Sequence, residues 1–200
     1  LMSVGVSAIE CRTSGFTCLE MSGAGCTICG LKDAGYRVET LKKAAFTAED
    51  MLAGGFGIKD LKDGGMTAAE LKQADLTATD LRGVGFAVPT LREAGFTCSE
   101  LLEAGFDAKE LYSEGTCFTT IELKEVGISA KKLSTIGITL AELIEVGFVA
   151  HALSAAGYKA EDLRKGLYKV KDLLGLGYTL KDLRDGGFKV KALRAAHYDV

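Results

Sequence analysis

The 200-residue sequence has no tryptophan, one proline and two histidines. With no other histidine, and no serine or acid at triad or ligand spacing to them, His151 and His197 point to neither a hydrolytic triad nor a histidine metal site. No apolar run approaches the ~18 consecutive residues that a membrane span needs. The formal net charge is only -3, so no global field draws the chain to nucleic acid or to an anionic membrane. A signal-peptide pattern is missing too, because LMSVGVSAIE at the start already reads as a repeat. Disorder is not indicated either: hydrophobic residues make up 48% and charged residues 26%, ordinary values for a folded chain.

What the sequence has is glycine, 25 copies, and they are periodic. Eleven ten-residue units run from Leu1 to Glu110, a twelve-residue unit (LYSEGTCFTTIE) from Leu111 to Glu122, and seven more ten-residue units to Ala192, with LRAAHYDV closing. Self-similarity at a fixed period dictates the fold before any local motif does. The expectation is one repeat array over 1–200, starting in register at Leu1 and stopping mid-unit at Val200 as a piece of a longer array would.

Each position of the unit has a physical logic. Position one is apolar, usually Leu; position four is small or aliphatic except at Ser14 and Glu114; position five is mostly Gly, replaced by Ala45, Asp75, Leu167 and His197. Position six is apolar and holds every aromatic except Tyr112, and position eight is always apolar. Lys, Arg, Asp and Glu concentrate at positions two, three and nine, with a further acid often at ten.

Thr47-Ala48-Glu49-Asp50, Thr67-Ala68-Ala69-Glu70 and Thr97-Cys98-Ser99-Glu100 are capping boxes, in which Thr starts a helix and the acid three residues on reaches back. Phe46, Met66 or Phe96 before the cap, and Met51, Leu71 or Leu101 four after it, are placed as hydrophobic staples. Gly then falls just past a helix of about two turns, where a left-handed residue closes the last turn. Positions eight, one and four make one apolar stripe. Pro89 sits in a first helical turn, where its missing N–H costs little.

The stretches Ala-Glu-Asp-Leu and Ala-Thr-Asp-Leu resemble the pentapeptide repeat family. That resemblance implies a right-handed, four-sided β-helix in which the residue two before each central Leu or Phe points inward and is small. Here that residue is often charged: Glu39, Glu49, Lys59, Lys109, Lys131, Glu161, Lys171, Lys181 and Lys191. A regular buried row of charges is not tolerable. The sequence therefore predicts an all-α fold, an α-solenoid of about twenty short helices zig-zagging as two layers. Helices this short are not stable alone and must stack on their neighbours.

Cys26-Thr27-Ile28-Cys29 is a CxxC with Cys11 and Cys18 nearby, so Cys26 and Cys29 are candidate metal ligands. In register, however, Cys11, Cys18, Cys26 and Cys98 occupy apolar slots, where free Cys behaves as a small buried hydrophobe. Only Cys29 and Cys117 fall at positions expected to be exposed. Six cysteines so placed favour a reducing compartment.

The C-terminal stretch is locally basic. Lys159, Lys169 and Lys189 occupy the cap position, and Lys171, Lys181 and Lys191 the ninth, so successive units are expected to align them as two basic rows. Tyr replaces Phe in the same stretch, as if hydroxyls reached water or a partner. The leading functional expectation is a non-enzymatic scaffold that binds protein partners within a larger assembly, without cofactor or catalytic residues. The alternative is a binder of nucleic acid or another acidic ligand through the six lysines.

Overall fold

The computed structural model describes residues 7–112, 117–165 and 168–198. Among the described residues it contains nineteen short helices and no strand, so it gives the β-helix alternative no support. By its contacts the chain divides into two compact units, Leu1–Gly105 and Phe106–Val200. The boundary falls within one repeat of the twelve-residue unit, the point at which the ten-residue period is broken.

The first unit holds α1 (Ala8–Thr13), α2 (Cys18–Gly23), α3 (Ile28–Asp33), α4 (Val38–Lys43) and α5 (Ala48–Ala53). It continues with α6 (Ile58–Asp63), α7 (Ala68–Gln73), α8 (Ala78–Gly83), α9 (Val88–Glu93) and α10 (Cys98–Glu103). In the second unit lie α11 (Ala108–Tyr112), α12 (Thr120–Glu125), α13 (Ala130–Thr135), α14 (Leu140–Glu145) and α15 (Ala150–Ala155). There follow α16 (Ala160–Lys165), α17 (Val170–Gly175), α18 (Leu180–Asp185) and α19 (Val190–Tyr198).

One junction shows how the sequence writes the unit. The Arg92 and Leu91 carbonyls accept from the N–H groups of Gly95 (2.8 Å) and Phe96 (3.0 Å). This is a Schellman closure with Gly95 left-handed at φ +84°. Thr97 then caps α10: its hydroxyl accepts from the Glu100 N–H at 3.3 Å, and the Glu100 carboxylate accepts from the Thr97 N–H at 2.6 Å. The next helix begins at once, and six residues later the pattern repeats. Where the last unit has His197 in place of glycine, α19 runs on to Tyr198.

The capping bond to a backbone N–H, and then to the hydroxyl, holds Glu10, Glu20, Glu100 and Glu142 below the usual glutamate range. For Asp50, Asp80 and Asp182 the hydroxyl bond is the larger cause. A carboxyl whose folded pKa is depressed stabilises the fold above its unfolded pKa, and that stability is lost as pH falls through the folded pKa. The urea midpoint should therefore hold near neutral pH and decline steadily below pH 4.5, the ordinary glutamate value. A midpoint that stays flat through the acid range would show that the boxes contribute little.

Within each unit a helix meets the one after next. In the first, α1 contacts α3, α3 contacts α5, α5 contacts α7, α7 contacts α9, and α8 contacts α10. In the second, α13 contacts α15, α16 contacts α18 and α17 contacts α19. Alternate helices thus stack as the expected two layers. Between the layers lie the position-one residues, fully buried from Leu31 to Leu111 and from Leu123 to Leu183.

The first residue of a helix faces the C-cap of the helix two later. A Cβ on Gly54 would lie 2.3 Å from Ile28 Cγ2, and one on Gly64 2.3 Å from Val38 Cβ. Large position-eight side chains are here matched by glycine at position four. Gly64→Ala should overpack this contact and destabilise by about 1–3 kcal/mol. Val38→Ala in the same chain should recover part of that loss in a chemical melt.

The two extra residues of the twelve-residue unit are Thr116 and Cys117, expected in the turn; Thr116 lies outside the described residues and Cys117 within them. That cysteine is 2% exposed, not solvent-facing as its turn position suggested. The neighbouring Phe118 N–H bonds the Leu111 carbonyl at 3.0 Å, as the aromatic does in a ten-residue unit.

Candidate interaction grooves and a cationic latch

Cys26 and Cys29 do not converge. Cys26 is buried, with burial and then Cys11 raising its thiol pKa, whereas Cys29 is exposed and its thiol faces the Asp33 carboxylate at 3.8 Å. A thiol kept protonated is neither a ready ligand nor a nucleophile. Among the described residues no group of three His, Cys, Asp or Glu side chains could hold a metal.

The six C-terminal lysines are all exposed, and they are spread over helices of both layers. Lys169 and Lys171 open α17 and Lys189 and Lys191 open α19, two helices in contact. Lys159 and Lys181 belong to α16 and α18 in the other layer. Consecutive helices meet here as well, because α18 contacts α19. Tyr178 also departs from expectation: it is buried, and its hydroxyl donates to the Tyr158 carbonyl at 3.4 Å.

The feature that a unit-by-unit reading misses is the role of position two. Its Lys or Arg crosses to the helix two later and donates to the carbonyls at that helix's C-terminal end. Arg12 Nη1 reaches Ala34 O at 2.8 Å, Lys62 Nζ reaches Val84 O at 2.6 Å and Gly85 O at 2.9 Å, and Arg82 Nη1 reaches Ala104 O at 2.8 Å. Lys32 and Lys72 bond Gly55 O and Gly95 O in the same way. The second unit repeats the bond from Lys124 to Val146 O (2.6 Å) and Gly147 O (3.0 Å), and from Arg164 to Gly186 O (3.0 Å).

A cation belongs there on electrostatic grounds, since unpaired carbonyls and the macrodipole make a helix C-terminus negative. The same cation lies over the next aromatic ring, at 4.2 Å for Lys72 on Phe96, 4.9 Å for Lys62 on Phe86 and 5.3 Å for Lys124 on Phe148. These residues latch alternate helices together. They are not merely a solvated face.

Grooves of one composition recur in the structure, each built from positions two and six to nine of one unit, positions six and ten of the unit two later, and positions three and four of the unit three later. Three of these grooves are pronounced: one from Lys32 to Gly64 of roughly 350 Å³, one from Lys42 to Ala74 of roughly 500 Å³, and one spanning 151–186 of roughly 450 Å³. In the second, Lys42 Nζ bonds both Gly65 O (2.7 Å) and the Glu70 carboxylate (2.8 Å). Burial raises the Glu70 pKa, but bonds to Lys42 and Thr67 outweigh it and leave the group below its usual range.

The ten-residue period, the capped helices and the repeated groove describe one family. A family model described as a decapeptide repeat region matches residues 5–78, 46–117 and 117–190. The chain belongs to that family. No curated protein and no solved structure matches it. The three matched stretches run through both compact units, so the decapeptide repeat accounts for the first as fully as for the second. No described helix of this decapeptide repeat protein is long and apolar enough to cross a membrane.

Proposed function

We propose that the chain is a non-enzymatic scaffold that binds protein partners, within a larger assembly, through its repeated grooves. The observation that carries this reading is the recurrence of one groove, from the same repeat positions, at Lys32–Gly64, at Lys42–Ala74 and across 151–186. A groove that recurs from the same repeat positions offers several equivalent contacts to protein partners, as solenoid repeats generally do. A photo-crosslinker at Glu39 or Glu49, both exposed in grooves, should trap a defined set of proteins. The same probe at Lys43, exposed but not a groove residue, should not. Identical products from both placements would sink the groove as the binding face.

A second reading, nucleic acid or another polyanion, is favoured by one arrangement. The adjoining first turns of α17 and α19 carry Lys169, Lys171, Lys189 and Lys191 against a single acid, Asp172. Binding of single-stranded RNA should then fall with salt, and each lysine replaced by Gln should reduce the slope by roughly one. No binding at low salt would end this reading.

A further inference from the structure

We propose that the groove beside Ser154 is a latch site left vacant, and that it receives a lysine or arginine side chain from a protein partner. This inference rests on the scaffold reading and assigns the chemistry of one of its contacts.

The template is in the chain itself. In the Lys42 groove the cation is held by the Gly65 carbonyl and the Glu70 carboxylate, positions five and ten of the unit two later. The equivalent positions around the 151–186 groove are Gly177 and Asp182, and both line it. Position two, however, is Ser154, whose short side chain cannot span the distance that a lysine stem covers. Among the described residues no side chain bonds the Gly177 carbonyl. Tyr178 takes the place that Phe96 has beneath Lys72.

The charges agree. Without its own cation the Lys42 groove keeps two acids, Glu49 and Glu70, and no base. The Ser154 groove has three acids, Glu161, Asp182 and Asp185, against Lys159, which leaves the same excess. Each of these acids has a local bond: Asp182 caps Thr179, Asp185 meets Arg184 and Glu161 meets Lys165. That does not disqualify them, because Glu70 caps Thr67 and holds Lys42 at once. Asp182 and Asp162, after burial, also raise the Tyr178 pKa, the mark of a negative local field. Elsewhere in this second unit, Ile144 and Leu174 fill position two with apolar bulk and pack against the core, and Ser134 is as short as Ser154, but the groove described in this unit is the one beside Ser154. Ser154 leaves the space open.

The test uses the full chain, isotope-labelled, and three probes: a short peptide with one central lysine, the same peptide with that lysine acetylated, and the free diamine 1,5-diaminopentane. The lysine peptide should shift the amides of Gly177, Tyr178 and Asp182 and saturate. The acetylated peptide should bind at least roughly tenfold more weakly, since it keeps the stem and loses the charge. Ser154→Lys should occupy the site from within, abolish the response and raise the thermal midpoint. Ser154→Leu should abolish the response without relying on charge.

Immobile amides, equal response to both peptides, or retained binding in Ser154→Lys would each overturn the vacant latch. Diamine binding as tight as the peptide's would overturn the assignment to a protein side chain. If the amides stay still while the groove crosslinks form, the vacant latch fails and the scaffold reading stands. If the peptide binds but no groove crosslinks form, the reverse holds.

Discussion

Leu91→Ala should destabilise the first unit by about 2–5 kcal/mol, the range for truncating a buried leucine. Leu91 is fully buried in α9, between Pro89 in the first turn and the Gly95 closure. Its carbonyl also accepts the Phe96 N–H that ends the helix. The loss should spread beyond one helix. Six residues are far below the length at which an isolated helix holds its shape, so α9 depends on α7, which it contacts, and α7 on α9. Hydrogen exchange should therefore rise through α7 and α9 before it rises in α1 and α3, as nearest-neighbour stability predicts. Glu93→Ala, at an exposed site on the same helix, should stay within about 0.5 kcal/mol. Equal urea midpoints for the two variants would refute the assignment of position one to the core.

The helix, its cap and its stop were legible from a single unit because each is local. Thr97 and Glu100 are three residues apart, and Gly95 lies four beyond Leu91. Pro89, the two-layer stacking and the buried Cys11, Cys18, Cys26 and Cys98 also came out as the pattern implied. Cys117 did not, because it is an inserted residue and no position of the ten-residue register says whether it is buried. The arrangement of the C-terminal lysines depends on the same kind of non-local information. A repeat shows which residues are equivalent but not which equivalents touch, and here α17 and α18 both contact α19.

The latch was hidden by the same step of two units, yet its signal is present in the sequence. Every Lys or Arg at position two that has a unit two later finds Gly at that unit's fifth position, as Arg12 finds Gly35 and Lys32 finds Gly55. The four units that lack this glycine, at Ala45, Asp75, Leu167 and His197, stand two units after Ser22, Leu52, Ile144 and Leu174, none of them basic. A spacing of twenty-three residues is invisible to a search for helical or strand periods, and plain once the stacking is known.

That coupling yields the sharpest expected result, a double-mutant cycle between Arg12 and Gly35. Gly35 has φ +82°, and a Cβ built there would lie 2.3 Å from Arg12 Nη1. Gly35→Ala thus carries two penalties. Left-handed strain costs about 1–2 kcal/mol, and displacing the guanidinium from the Ala34 carbonyl forfeits a charged hydrogen bond worth about 1.5–3 kcal/mol where it is well shielded. Arg12 is exposed, so the lower end of that second range applies. The single variant should lose about 2–4 kcal/mol in all. In an Arg12→Ser background the cation is already gone, and Gly35→Ala should cost only the strain, as Ala45 bears at φ +64° behind Ser22 and Asp75 at φ +58° behind Leu52. The coupling energy should be about 1–2 kcal/mol, positive in the sense that the two losses overlap. Additive losses in urea melts would mean that glycine is required here by backbone conformation alone, and that its pairing with the latch cation along the sequence has another cause.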